Sequence, residues 1–142
     1  MTQATLRPRT RQHRVRPLPS VPESFDGSDA EYYVLIALKK HGLLEGVDFI
    51  FAARPNLNYV VTGDFIPDFR LPGLRIIIQV QSAYYHSRTG TQRAKDRFAL
   101  LAFSQRGYRV TYITEDQAAL DAYYFVGRAL DGFTEGPLSI LA

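Results

Sequence analysis

Apolar residues recur along the chain at two different spacings. In residues 28–41, Val34, Leu35 and Leu38 follow one another at the spacing of one helix face. Residues 74–81 instead hold a nearly continuous β-branched run, which is typical of a central strand covered on both faces. These patterns predict a helix over the first segment and a buried strand over the second.

Capping residues mark where two helices begin. Ser28 precedes the first helical pattern and Glu31 stands three residues later, which is the sequence signature of a capping box. Thr114 and Gln117 repeat that signature and open a helix that is expected to run to about Leu130. Both helices should therefore have well-defined N-termini.

Further segments complete the predicted order of elements. Strands are expected over 47–53, over 59–62 with 64–70 (one bent strand or two short ones) and over 108–113, and a helix over 92–106. The apolar side of that helix is expected to consist of Ala94, Phe98, Leu101 and Ala102. The resulting order, α-β-β-β-α-β-α, is that of a mixed α/β domain.

The basic residues are distributed unevenly along the chain. Residues 1–22 contain no acidic residue and carry five arginines: Arg7, Arg9, Arg11, Arg14 and Arg16. Removing these five from the 17 Lys and Arg leaves 12 against 14 acidic residues, so the remainder is slightly acidic. Together with the helix-breaking prolines, this predicts an extended basic arm over 1–24, a folded domain over 25–133 and a tail over 134–142.

The composition excludes several classes of protein. The chain has no cysteine, so disulfides and cysteine zinc sites are ruled out. No apolar run approaches the roughly 20 residues that span a bilayer, and no apolar stretch follows the N-terminal basic residues as in a secretory signal. We therefore expect a protein of the cytoplasm or of a virion, neither secreted nor held in a membrane, with no small-molecule cofactor.

Polar residues at the ends of two neighbouring strands form the candidate site. Asp68 follows a proline at the end of one strand, Gln79 and Gln81 end the next, and ten residues separate Asp68 from Gln79. A turn at 72–73 folds two strands of this length back on each other, so the two ends should meet. Strand alternation places Gln79 and Gln81 on one face.

This arrangement, within this order of elements, resembles the PD-(D/E)XK nuclease superfamily, and within it the small very-short-patch-repair-type and phage-encoded members. In those proteins a helix carries a glutamate, a Pro-Asp strand carries the first metal ligand, and a Glu-x-Gln or Glu-x-Lys strand carries the rest. The resemblance covers about residues 28–131 and implies a restriction-endonuclease-like αβββαβα three-layer core. The matching positions are Glu31, Asp68, Gln79, Gln81, Tyr85, His86, Arg93, Lys95 and Arg97.

The resemblance implies a site for Mg²⁺ or Mn²⁺. Asp68 and Glu31 would be the metal ligands, Gln81 would place the attacking water, and His86 would complete the catalytic set. Gln79 stands where the family has a second carboxylate, and its amide offers a carbonyl oxygen without charge. Losing one charge beside a divalent ion reduces the electrostatic attraction. A reduction of even ~3 kcal/mol would weaken metal binding roughly a hundredfold.

Each of these residues also has a structural interpretation. Glu31 fits as the capping-box residue of its helix, and Asp68 fits as the polar residue of a Pro-Asp turn. The amides of Gln79 and Gln81 could bond a neighbouring element at the end of a buried strand. His86 is also compatible with a surface or turn position, which is the commoner place for a histidine.

Two further alternatives concern charged residues. Arg93, Lys95 and Arg97 form either a phosphate clamp or a solvated helix face. Asp64 competes with Asp68 for the ligand role, but it lies fifteen positions before Gln79 and lacks the preceding proline.

Three functions are consistent with the sequence. The first is a nuclease-like domain with an altered, inactive metal site, which serves as a binding or structural component of a larger assembly such as a phage virion or a DNA-handling complex. The second is an active, Mg²⁺- or Mn²⁺-dependent DNA endonuclease. The third is a non-cleaving nucleic-acid-binding protein. In each, the arm with its five arginines would contact protein partners or DNA, together with the basic helix.

Overall fold

The structure is a computed structural model that describes residues 17–52, 67–81 and 90–132. For Gln92 and Arg93 it describes the backbone alone. The expected strand at 59–62, residues 64–66 of the one at 64–70, the five arm arginines and the tail over 134–142 therefore lie outside the described residues.

The described residues form a mixed α/β fold with three helices and four strands, in the predicted order. These elements are α1 (Asp29–Lys40), β1 (Ile50–Phe51), β2 (Phe69–Leu71), β3 (Ile76–Gln81), α2 (Gly90–Gln105), β4 (Arg109–Thr114) and α3 (Glu115–Leu130). None of these helices is both long enough and apolar enough to cross a membrane.

The four strands form one sheet in the order β1-β2-β3-β4. The first three strands are antiparallel neighbours, with Phe69 opposite Ile78 in the β2–β3 pair. β3 and β4 are parallel, and Gln79 lies opposite Tyr112. Parallel neighbours need a long crossover connection, and α2 lies in it.

Local capping chemistry fixes the starts of α1 and α3, as predicted. The Ser28 hydroxyl accepts from the backbone N–H of Glu31, and the Glu31 carboxylate accepts from that of Ser28. Thr114 and Gln117 make the same reciprocal pair at the start of α3. Two donors that would otherwise lack a helical partner are satisfied at each end, which confirms both capping boxes.

The first strand is shorter than the prediction of 47–53. Residues 46–48 form a turn, which is closed by a 2.7 Å bond from the backbone N–H of Leu44 to Oδ2 of Asp48. Val47 is 73% exposed at this turn, although β-branched residues favour strands. The hydrogen bond from the backbone of Leu44 to the side chain of Asp48 favours a turn at these residues, so the strand begins only at Ile50.

Helices cover both faces of the sheet. On one face α1 and α3 pack on Phe69, Ile76 and Ile78 in a large cluster of buried side chains. On the other face a smaller cluster joins β3 and β4 to α2. It consists of Ile77, Leu100, Phe103, Val110 and Tyr112. Alternate side chains of β3 enter different clusters, which confirms that this strand is covered on both faces.

The predicted apolar side of α2 is wrong. Ala99, Leu100 and Phe103 are the buried residues of this helix, whereas Phe98 is 77% exposed and Ala94 is also exposed. At 3.6 residues per turn, Phe98 lies on the opposite side of the helix from Phe103 and Leu100. The helix has two apolar stripes, and the crossover turns the one with Leu100 and Phe103 toward the sheet.

The third helix is broken at Asp121. The backbone there is extended (φ −164°, ψ 74°), and Oδ1 of Asp121 accepts from the backbone N–H of Tyr124 at 3.1 Å. Asp121, which is 5% exposed, thus caps the second half of the helix. That half is joined to the C-terminus of α1, where Nε2 of His41 lies 2.9 Å from the carbonyl oxygen of Tyr123 and their rings stack.

Candidate functional site

Asp68 and Gln79 meet at the end of the β2–β3 pair, as the sequence predicts. The side-chain oxygen Oε1 of Gln79 accepts from the backbone N–H of Asp68 at 2.6 Å. In return, Oδ2 of Asp68 accepts from the backbone N–H of Val80 at 2.9 Å. Each side chain therefore bonds the backbone of the opposite strand, and both bonds are partly buried.

These bonds extend the sheet by one step beyond its last backbone pair. The register places Phe69 opposite Ile78, so Asp68 and Gln79 are the next residues along each strand. On its other side, the carbonyl oxygen of Asp68 accepts from the backbone N–H of Ala52 at 2.9 Å. Asp68 is consequently held between β1 and β3 by its backbone and by its carboxylate.

Gln81 ends β3 and is partly buried, like Gln79. It lies opposite Thr114, the N-cap of α3. Alternation along β3 puts Gln79 and Gln81 on the face of Ile77, which is the face that α2 covers. The two glutamines therefore lie on the same face of the strand, as predicted, near the entry to the crossover.

Glu31 is engaged in capping α1. Its Oε1 accepts from the backbone N–H of Ser28 at 2.8 Å. A Cβ atom added at Gly27 would lie only 2.9 Å from the same oxygen, so the chain passes close to this carboxylate. The position supports the structural interpretation of Glu31.

Several predicted site residues lie outside the described residues: Arg7, Arg9, Arg11, Arg14, Arg16, Asp64, Tyr85 and His86. Arg93 lies in α2, where the structure describes its backbone only. Lys95 and Arg97 are exposed on the first half of that helix. Because α2 returns the chain from the end of β3 to the start of β4, this half lies toward the Gln79 and Gln81 end of the sheet.

A second group of polar residues lies toward the opposite end of the same strands, and no pattern in the sequence predicts it. We name Arg70, Arg75 and Arg106 the arginine cluster. Arg70 Nη1 lies 3.2 Å from the hydroxyl of Tyr108, and the Arg75 guanidinium lies 5.9 Å from the centre of that ring. Runs of basic residues are the usual signal for such a group, and these three are dispersed over the sequence.

No family model, curated protein or solved structure matches this chain. Within the part of the chain that the structure describes, no three His, Cys, Asp or Glu side chains are grouped so that they could hold a metal ion. The geometry of the site is therefore the basis for a functional proposal.

Proposed function

We propose that this chain is a restriction-endonuclease-like domain of the PD-(D/E)XK type that does not cleave DNA and serves as a binding or structural component of a larger assembly. A phage particle and a DNA-handling complex are the two settings that suit a domain with a basic arm. The reciprocal Asp68–Gln79 bonding carries the proposal, because it uses the two key side chains to close the sheet.

The order of elements supports the fold assignment. The described chain runs α-β-β-β-α-β-α, with α1 and α3 on one face of the sheet and α2 on the other. Asp68 and Gln79 lie at adjoining ends of neighbouring strands, where the superfamily has its metal ligands. The scaffold alone does not decide the activity, because function resides in the site.

The donor set fits a tightly held Mg²⁺ or Mn²⁺ poorly. These ions favour carboxylate oxygens, and the strand ends provide one carboxylate and one neutral amide. Oδ2 of Asp68 already accepts from Val80, and Oε1 of Gln79 already accepts from Asp68. Glu31, the other expected ligand, has Oε1 committed to the cap of α1.

Incubation of the purified full chain with single-stranded and duplex DNA tests the proposal, in Mg²⁺ and separately in Mn²⁺. We expect no cleavage in either metal above the level of an Asp68→Ala preparation. Cleavage by the native chain that disappears in Asp68→Ala would overturn the proposal. That result would establish the alternative, an active metal-dependent endonuclease with Asp68 as a ligand.

Calorimetric titration with Mn²⁺ gives an independent measurement. We expect no binding at millimolar metal, because a single carboxylate seldom holds such an ion. Binding that is lost in Asp68→Asn would contradict this expectation, even if no DNA substrate had been found.

A further inference from the structure

The arginine cluster surrounds a pair of aromatic rings on the α2 side of the sheet. Phe103 and Tyr108 meet edge to face, with ring centres 5.7 Å apart. Arg75 lies over Tyr108, and the guanidinium of Arg106 lies 5.5 Å from the centre of Phe103. The contacts with the ring faces hold two of the three cations in place.

A hydrogen bond from the side chain of Arg75 to the backbone of Arg106 joins two members of the cluster. Nη1 of Arg75 donates to the carbonyl oxygen of Arg106 at 2.8 Å, which ties the β2–β3 turn to the end of α2. Arg75 and Arg106 are exposed, and Arg70 is partly buried. The cluster is thus a fixed group of cations with access to solvent.

None of the three arginines forms an ion pair with a carboxylate in residues 17–52, 67–81 or 90–132. Like charges that are held close together repel one another, and an anion that binds them removes this repulsion. Outside residues 1–22, the Lys and Arg number 12 against 14 acidic residues, so the cluster is a local basic region on a slightly acidic body.

Arg75 adopts a backbone conformation that favours glycine. Its φ is +57°, and it is the only residue other than glycine with a positive φ in the described part of the chain. This conformation costs a residue with a Cβ about 1 kcal/mol or more. Strained residues are concentrated at functional sites, and here the strained residue is the one whose side chain reaches Tyr108 and Arg106.

We propose that the arginine cluster is a binding site for the phosphodiester backbone of a nucleic acid. It is separate from the Asp68–Gln79 strand end and does not depend on the function proposed for that end. The planar guanidinium group matches the geometry of a phosphate oxygen pair. A nucleic-acid duplex presents about one negative charge per 1.7 Å of its axis, which suits three neighbouring cations that have no acidic partner among the described residues.

The site contacts the charged phosphates rather than the bases. One face of Tyr108 is turned to Arg75 and the ring meets Phe103 edge to face, so both neighbours limit its use as a stacking surface for a base. Contacts to phosphates position a nucleic acid without selecting its sequence. Binding should therefore depend steeply on salt and little on sequence.

Fluorescence anisotropy with labelled single-stranded and duplex oligonucleotides tests the proposal in the full chain. We expect Arg75→Gly and Arg106→Gln each to weaken binding about eightfold near 0.1 M salt, and to lower the slope of log K against log salt by about 0.9 for duplex. Lys40→Gln is the matched control, because Lys40 is an exposed cation on α1, on the other face of the sheet. It should change neither quantity by as much.

Thermal unfolding of each variant separates lost binding from lost folding. Arg75→Gly serves best here, because glycine accepts the backbone conformation that arginine strains. If Arg75→Gly and Arg106→Gln bind as tightly as Lys40→Gln while all remain folded, the proposal is overturned. It is also overturned if a polyglutamate peptide competes as well as DNA, because the site would then be one for acidic protein.

Discussion

The two ends of the β2–β3 pair differ in the partners of their charged side chains. At the Asp68 end, one carboxylate and one amide satisfy each other's backbone donors, and both groups are partly buried. At the turn end, Arg75 lies on an aromatic ring, close to Arg106, without a carboxylate partner in the described residues. The first end is built for closure of the sheet, and the second leaves its charge available to a ligand.

Introducing a second carboxylate at position 79 is the strongest test of the first end. We expect Gln79→Glu to bind Mn²⁺ at millimolar concentration, where no binding is expected for the native chain, because a second charge facing the ion contributes ~3 kcal/mol, or about a hundredfold in affinity. Glutamate can still accept from the backbone N–H of Asp68, so the fold should survive. Calorimetry on both chains measures the difference, and equal binding would show that this end is not a latent metal site.

Removing the carboxylate tests closure directly. Asp68→Ala should lower the free energy of unfolding by about 2 kcal/mol, because it leaves the partly buried N–H of Val80 without its charged acceptor. Asp68→Asn keeps an acceptor oxygen in the same place and should lose less than half as much. Urea denaturation followed by circular dichroism gives both values. If alanine proved as stable as the native chain, Asp68 would have no structural role.

Removing the charged side chain of Arg75 at the turn end should have little effect on stability. Arg75→Gly relieves about 1 kcal/mol of backbone strain and some repulsion within the cluster, and it loses one hydrogen bond and one cation–π contact of about the same total size. The net change should therefore stay within about 1 kcal/mol. Urea denaturation measures it on the same scale as Asp68→Ala. A loss of 2 kcal/mol or more would mean that the arginine cluster holds the fold together, and the contrast between the ends would fail.

A change in salt concentration should have the smallest of these effects on stability. Repulsion within the arginine cluster is screened as the Debye length falls from about 10 Å at 0.1 M to about 3 Å at 1 M salt. The native chain should therefore gain about 0.3 kcal/mol more stability than Arg75→Gly over this range, measured with sodium chloride in urea denaturation. An equal gain in both would show that the three guanidinium groups do not repel one another appreciably.

Local signals in the sequence predicted the parts of the fold that local chemistry determines. The capping boxes at Ser28 and Thr114 depend on residues three apart, and the structure has both. The meeting of Asp68 with Gln79 follows from two short strands and one turn, which is also a nearby relation. The glutamine amide proved to bond the backbone, which the sequence had left open as one of two interpretations.

Contacts between residues that are distant in the sequence could not be predicted in the same way. The two apolar stripes of α2 are equivalent in sequence, and only the packing of Phe103 on Ile77 and Tyr112 selects one of them. The arginine cluster needs Arg106 beside Arg75, a contact that forms only after the crossover places the end of α2 at the β2–β3 turn. Residues 116–126 contain no proline or glycine that would mark the break at Asp121, and an aspartate can either continue a helix or cap a new one.

The break in α3 has a consequence for how the chain tolerates insertions and deletions. In a continuous helix, one added residue turns everything beyond it by about 100°, and the side that packs on α1 would be lost. Asp121 interrupts the helix and caps a new helical segment. The orientation of that segment is therefore set by its own cap and by the contact between His41 and Tyr123. Variation in length over residues 115–120 would be absorbed at the break, and homologous chains could differ there while keeping the same α1–α3 contact.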